Sequence, residues 1–410
     1  MISDGGMKTR KFFILLTILL LFTSTLHLLR YTRGEKAEIS VHLFNRTVTG
    51  KLQTLFYDPH DLTIYFEIAK WFTSPSGTFQ EIYYSYPPLA NLVFTIPYQM
   101  MNMFLISNAD LEVQKNIYFV IFSLLMVVLA SMAIHTVYSL RKSYQWMAYF
   151  MLLPACYYMT LNRFDILPAY LTLLSLQALL RGREKWAFFW LTLGMMIKWY
   201  PAVLIPVFLR FLWDTNRDKI KSSLIYLAGY MAVGHVLLLI FGGVKAITLP
   251  YMLQLDREIN QESLMYLMTI LMGTKSDGNS FLHYFFVFMQ ILIPSLVLLV
   301  RVNTPRRLCY WSGISITAFI LFSPIYSPQW ILWIMPFLLL CTDSPVELIP
   351  IILFDGITYL YFPFIYGNKA LFPGLFITMM IIKTMILAYF MFWLYRKANT
   401  RFRLESEQSC

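Results

Sequence analysis

Charge is scarce in this sequence. Asp, Glu, Lys and Arg supply 13% of its residues, about half the share of an ordinary soluble domain, which excludes a water-soluble globular fold. Cysteine is nearly absent: Cys156, Cys309, Cys341 and Cys410 have neither disulfide nor metal-ligand spacing, so no disulfide framework or zinc site is encoded. No cofactor is implied, and these residues do not reveal whether a divalent metal takes part. No internal repeat is evident, which argues against the matching halves that many transporters carry. The run Phe12 to Leu29 follows Lys8, Arg10 and Lys11 but lacks a small-residue cleavage site, so an uncleaved first helix is expected rather than a signal peptide.

What the chain has in excess is apolar surface. Hydrophobic residues reach 58% and the mean hydropathy is +0.59, the composition of a polytopic membrane protein, in which ~20 apolar residues make one crossing. The net charge of +11 sits in short loops between apolar runs, as cytoplasmic anchoring requires, and does not point to nucleic acid. Thirteen apolar blocks can be marked. Both termini are basic, through Lys8, Arg10 and Lys11 and through Arg396, Lys397, Arg401 and Arg403, so both are expected in the cytoplasm and the number of crossings must be even.

The block at 88–106 is the one to withdraw, because it is interrupted by Pro88 and Pro97 and carries Gln99 and Asn102. Laying it on the outer face places Arg141 with Lys142, Arg181 to Lys185, Arg210 to Lys221 and Arg301 to Arg307 inside. The expected fold is an all-α bundle of about twelve transmembrane helices forming one domain over 1–410. Its first outer loop covers 32–113 with juxtamembrane helices, its second covers 243–280, and 397–410 is a cytoplasmic tail. The blocks 186–198 and 200–212 are short and read as a steep hairpin with Lys198 near its tip.

In that topology the polar residues that look out of place share the outer rim. Asp58 and Asp61 stand in the first loop, Arg163 and Asp165 in Asn-Arg-Phe-Asp, and Lys198 at a helix end. Arg257, Glu262 and Ser263 stand in the second loop, and Tyr326 and Gln329 in Ser-Pro-Ile-Tyr-Ser-Pro-Gln-Trp. Carboxylates beside Lys and Arg at a bilayer edge suit chemistry on a lipid-linked phosphate, with cations for the leaving group and a carboxylate to take a proton from an attacking hydroxyl. Each residue also has a plainer reading. Asp61 would cap a helix over 62–72, Asp58 before Pro59 suits a turn, Asp165 would cap the following crossing, and Lys198 suits a helix C-terminus. Asp355 and Lys383 lie at similar depth on consecutive crossings and are expected to pair as a structural lock. His235 reads as a packing residue, and the sequon Asn45-Arg46-Thr47 as incidental.

Six motifs in order resemble the C-type glycosyltransferases that use polyprenyl-phosphate sugars. They are Asp61-x-x-x-Tyr65, Tyr86-Pro87-Pro88-Leu89, Arg163-Phe164-Asp165, Gly194-x-x-x-Lys198-x-x-Pro201, Arg257-x-x-x-x-Glu262-Ser263 and Pro328-Gln329-Trp330-x-x-Trp333-x-x-Pro336. The likeness spans about residues 55 to 340 and is greatest to polyprenyl-phosphate-mannose mannosyltransferases and to the catalytic subunit of the first mannosyltransferase of GPI-anchor synthesis. Where this chain has Trp330, the family more often has Tyr. The resemblance implies inverting transfer of a hexose, mannose foremost, from a polyprenyl or dolichyl phosphate to a lipid-linked or glycolipid hydroxyl on the non-cytoplasmic face. It assigns Asp61 as general base and gives phosphate contacts to Lys198 and Arg257. From the residues themselves, Asp58 is the alternative base, Arg163 joins the phosphate-binding cations, and Asp165 either caps the fourth crossing or belongs to the catalytic group by orienting the neighbourhood of Asp61. Tyr65, Tyr86, Glu262, Ser263, Tyr326 and Gln329 would bind substrate or shape loops. The competing reading is a secondary transporter or lipid flippase with Asp165, Lys198, Asp355 and Lys383 along its path.

Overall fold

The computed structural model describes residues 3–30, 38–43, 46–51, 55–74, 86–103, 109–255, 258–273 and 281–407. The chain begins with α1 (Ser3–Leu29), a hairpin of β1 (Glu38–Leu43) and β2 (Arg46–Lys51), α2 (Pro59–Phe72), α3 (Ala90–Met103) and α4 (Leu111–Leu140). It continues through α5 (Pro154–Asn162), α6 (Ile166–Leu180), α7 (Glu184–Ile197), α8 (Ile205–Thr215), α9 (Lys219–Leu255) and α10 (Leu264–Met272). It closes with α11 (Phe281–Ser295), α12 (Pro305–Leu321), α13 (Ile331–Cys341), α14 (Ile349–Leu360) and α15 (Pro373–Glu407).

The expected class is present: a helical, multi-pass membrane protein. The expected number of crossings is not. Among the described residues six helices are long and apolar enough to cross a bilayer, or seven if α5 and α6, bent by 109°, count as one broken span. The reason lies in helix length. The apolar blocks over α6, α7, α8 and α13 hold helices of 15, 14, 11 and 11 residues, which at 1.5 Å per residue fall short of a ~30 Å hydrocarbon core. The hairpin also departs from an all-α reading. Its antiparallel register runs from Glu38 opposite Lys51 to Leu43 opposite Arg46, and the alternation Ile39, Val41, Leu43 is a strand signal. Asn45 lies outside the described residues.

Within the first loop the segment at 88–106 contains α3, which continues unbroken through Pro97. Its 14 residues reach about 21 Å. Val93, Phe94, Pro97 and Met101 are buried toward α2 and α4, while Leu92, Ile96 and Met103 face outward. The loop is tied to the bundle at a second place, where the Tyr359 hydroxyl donates to the Leu55 carbonyl at 2.7 Å. Helix α9 turns sharply at Gly243, whose φ of 67° and ψ of −170° lie in a region open almost only to glycine. The second loop's expected boundary at 243 falls on this bend, although helix resumes beyond it.

Asp355 and Lys383 do not meet. The carboxylate of Asp355 on α14 accepts the amides of Ala155 at 2.9 Å and Cys156 at 3.0 Å, the first turn of α5, where unpaired N–H groups and the helix dipole favour an anion. Lys383 on α15 donates to the Glu262 carbonyl at 2.6 Å and stands 3.3 Å from the centre of the Tyr326 ring. Similar depth fixes height along two helices but not the direction each side chain takes around its axis. The thermal stabilities of Asp355→Asn, Lys383→Met and the double variant in detergent should therefore add to within about 0.5 kcal/mol. A coupling of ~1 kcal/mol or more would mean that the two charges do interact.

Candidate active site

The site grows from the bend between α5 and α6. Arg163 ends α5 in extended conformation, with φ −138° and ψ 151°, and Asp165 opens α6, so the tripeptide Arg163-Phe164-Asp165 is the corner itself. Arg163 is buried, and a buried guanidinium must find acceptors. Two carboxylates of the first loop meet it. Asp58 Oδ2 lies 2.6 Å from one terminal nitrogen and Asp61 Oδ2 lies 2.9 Å from Nε. The Nε contact is an ion pair without a hydrogen bond along its N–H direction. The other terminal nitrogen donates to the Asn162 carbonyl at 3.0 Å. The phosphate role expected for Arg163 is thus replaced by a hold on both carboxylates.

The structure also separates Asp58 from Asp61. Helix α2 begins at Pro59, one turn earlier than the capping reading of Asp61 required, and Asp58 is its N-cap, accepting the His60 amide at 3.0 Å. The Asp58 amide donates to Asn162 Oδ1 at 2.8 Å. Asp61 sits in the first turn, where a negative charge is favoured. Its Oδ2 takes Arg163 and the Tyr65 hydroxyl at 3.5 Å. Asp61 is about one-fifth exposed, at 21%. Tyr65 is otherwise buried and stacked on Phe94 at 4.3 Å.

On the other side of the corner, Asp165 does not cap α6 with its side chain. Its Oδ1 receives Lys198 Nζ at 2.7 Å and the Trp333 indole N–H at 2.8 Å, while Oδ2 has no hydrogen-bond partner among the described residues. Lys198, at the C-cap of α7, is surrounded by aromatic faces: Phe164 at 4.5 Å, Tyr86 at 5.0 Å and Trp333 at 5.3 Å from ring centre to Nζ. These distances are within cation–π range. Phe164 also makes edge contacts with Tyr65 and Tyr86, so a partition of rings separates the Asp58–Asp61–Arg163 cluster from the Asp165–Lys198 cluster.

Two cavities lie on either side of the Tyr86–Leu89 turn. One, of about 400 Å³, is walled by Tyr86, Lys198, Gln290, Ser327, Gln329 and Trp333 among others. Along it run stacked rings, Tyr200 on Trp333 at 4.2 Å and Trp333 on Trp330 at 4.6 Å. The other, of about 860 Å³, is a largely apolar groove between α3, α7 and α9, with Leu89, Asn91, Leu193, Met196 and Leu237 in its walls. The turn Tyr86-Pro87-Pro88-Leu89 stands between them, pinned by the Leu89 amide donating to the Met196 carbonyl at 3.1 Å. Asp58 and Asp61 line neither cavity.

The remaining residues form a third group. Glu262 is buried and accepts from the Tyr361 hydroxyl and from Asn260 Nδ2, at 3.2 Å for the latter. Asn260 also clasps both backbone groups of Tyr326. Ser263 caps α10 by accepting the Tyr266 amide at 3.1 Å. These residues therefore shape the loop that leads into Gln329 and Trp330. Arg257 lies outside the described residues. The sequence reading assigned no role to Asn162, Trp333, Asn260 or Tyr361. The first three lie inside stretches already singled out, whereas nothing marked Tyr361. No family model matches the chain, and no curated protein is significantly similar to it.

Burial raises the Glu262 carboxyl from its usual 4.5 to about 7, against the pull of Lys383 and Lys369. A folded-state pKa above the unfolded one means that the folded protein binds the extra proton, so this residue's contribution to stability falls as pH rises from about 4.5 through about 7. Thermal midpoints measured across that window should decline in the wild type, and Glu262→Gln should flatten the decline. An unchanged slope would assign it to another group.

Proposed function

We propose that this protein is an inverting glycosyltransferase that moves a hexose, mannose on the likeness of its motifs, from a polyprenyl or dolichyl phosphate to a hydroxyl of a lipid-linked or glycolipid acceptor. The observation that carries the reading is the pairing of the two cavities across the Tyr86–Leu89 turn. A chamber with a lysine, amide and hydroxyl side chains and stacked indoles suits a sugar phosphate, since aromatic faces accept the apolar face of a pyranose and Lys198 meets the phosphate. The apolar groove beside it suits a long hydrocarbon tail. An isoprenoid phosphate sugar has both parts in that order.

In this mechanism the acceptor hydroxyl gives its proton to Asp61 as its oxygen attacks the anomeric carbon. The bond from that carbon to the phosphate oxygen breaks, and the lipid phosphate leaves with the electron pair toward Lys198. Asp61 is preferred to Asp58 because Asp58 is spent on capping α2, whereas Asp61 is held by Arg163 and Tyr65 through one oxygen only. An inverting displacement asks that base and leaving-group cation flank the sugar from opposite faces. Because Asp61 lines neither cavity, the rings between Asp61 and Lys198 must part when the sugar enters. Arg163 orients the two carboxylates, and Asp165 with Trp333 positions Lys198. By the distribution of lysine and arginine, both termini face the cytoplasm and the site faces outward. A transport path gains no support from Asp355 and Lys383, which are hydrogen-bonded to backbone groups of different neighbours and do not meet.

Asp61→Asn should lower transfer from radiolabelled polyprenyl-phosphate mannose into the lipid fraction by roughly 10²- to 10⁴-fold while the protein stays folded. Lys198→Met combined with Asp165→Asn, which avoids leaving one buried charge alone, should cost about 10²- to 10³-fold. Full transfer by folded Asp61→Asn protein would remove the base from this mechanism.

A further inference from the structure

At the end of the bundle away from Lys198 lies a third cavity, of about 360 Å³, between the turn after α4, the end of α6, the first turn of α12 and the residues after α13. Four cations line it, Arg141, Lys142, Arg306 and Arg307, against one carboxylate, Asp343. Arg141 is buried and its nitrogens go to neutral acceptors: the Ser143 carbonyl at 3.2 Å, the Tyr144 carbonyl at 3.1 Å, the Thr342 carbonyl at 2.9 Å, the Leu339 carbonyl, and the Met147 sulfur at 3.1 Å. Carbonyls fix its geometry without cancelling its charge. Arg307, also buried, reaches Asn303 Oδ1 at 3.2 Å, near the N-terminus of α12. Asp343 is already engaged by Lys397 at 3.0 Å, with Arg306 at 3.8 Å, and Glu347 by Lys397 at 2.7 Å. With Lys397 counted, five cationic side chains gather here against the two carboxylates of Asp343 and Glu347, so the cavity carries a surplus of positive charge however they pair.

A second observation places it at a membrane surface. Tyr144, Trp146, Trp186 and Trp213 are exposed around the same end, as in the aromatic belts found at headgroup level. We propose that this cavity binds a phosphate-bearing anion, and that the phosphate is the headgroup of an anionic phospholipid of the adjoining leaflet. The site does not depend on glycosyl transfer. The 17 residues of α12 set it about 25 Å from the Lys198 chamber.

The test uses the full-length, delipidated protein in neutral detergent. Phosphatidylglycerol, phosphatidylcholine and inorganic pyrophosphate are compared by native mass spectrometry and by the thermal midpoint. The wild type should retain phosphatidylglycerol over phosphatidylcholine. Lys142→Gln with Arg306→Gln, two exposed positions, should weaken that preference roughly thirtyfold, whereas the charge-conserving Lys142→Arg with Arg306→Lys should keep it. A midpoint raised by pyrophosphate but not by phosphatidylglycerol, and lost in the Gln variant, would keep the phosphate site and overturn the lipid as its source. Equal binding of phosphatidylglycerol by the wild type and the Gln variant, with no response to pyrophosphate, would overturn the proposal.

Discussion

A guanidinium in an apolar interior cannot stand alone, and at Arg163 that requirement organises one end of the molecule. It draws Asp58 and Asp61 from the first loop onto the corner between α5 and α6, which docks α2 against the bundle. Because the corner breaks the helix, its next acidic residue, Asp165, serves a different cluster, where it meets Lys198 and Trp333. One tripeptide thus serves both charged groups, and Phe164 between them supplies part of the wall that keeps them apart. Removing the corner would undo both clusters together.

Much of this was legible in the sequence because ionisable residues stand out in a chain so poor in them. Asp58, Asp61, Arg163, Asp165 and Lys198 could be chosen on scarcity alone, and the structure gathers them around one corner. Their partners were less legible. Arg163 was assigned to phosphate because nothing in a linear reading shows that carboxylates about a hundred residues earlier reach it first. Asp355 and Lys383 were paired by depth, yet each faces a different neighbour. Trp333 lay inside a recognised motif, but its role as donor to Asp165 depends on an approach between α13 and the corner that hydropathy does not encode.

For the fold, class was readable and number was not. Hydropathy reports where the chain is apolar, and runs such as those over α7 and α8 are apolar without being long. Prolines at the starts of α5, α8, α12 and α13's preceding turn cut such runs into pieces that only coordinates reveal. The β1–β2 hairpin went unread because its alternation is brief and lies within a stretch assigned to a loop. The 88–106 segment holds α3, which at 14 residues is, like α7 and α8, too short to count as a spanning helix, and Pro97 does not break it.

Gly243 needs its missing side chain for the backbone alone: nothing lies within 4 Å of where a Cβ would sit, yet its dihedral angles exclude ordinary residues. It also stands in the wall of the apolar groove. The curvature of that wall is therefore written by an achiral residue, and a mirror-image amino acid would reproduce it more faithfully than any of the nineteen natural alternatives. The width offered to a hydrocarbon tail is in that sense a property of handedness, set where the chain has none.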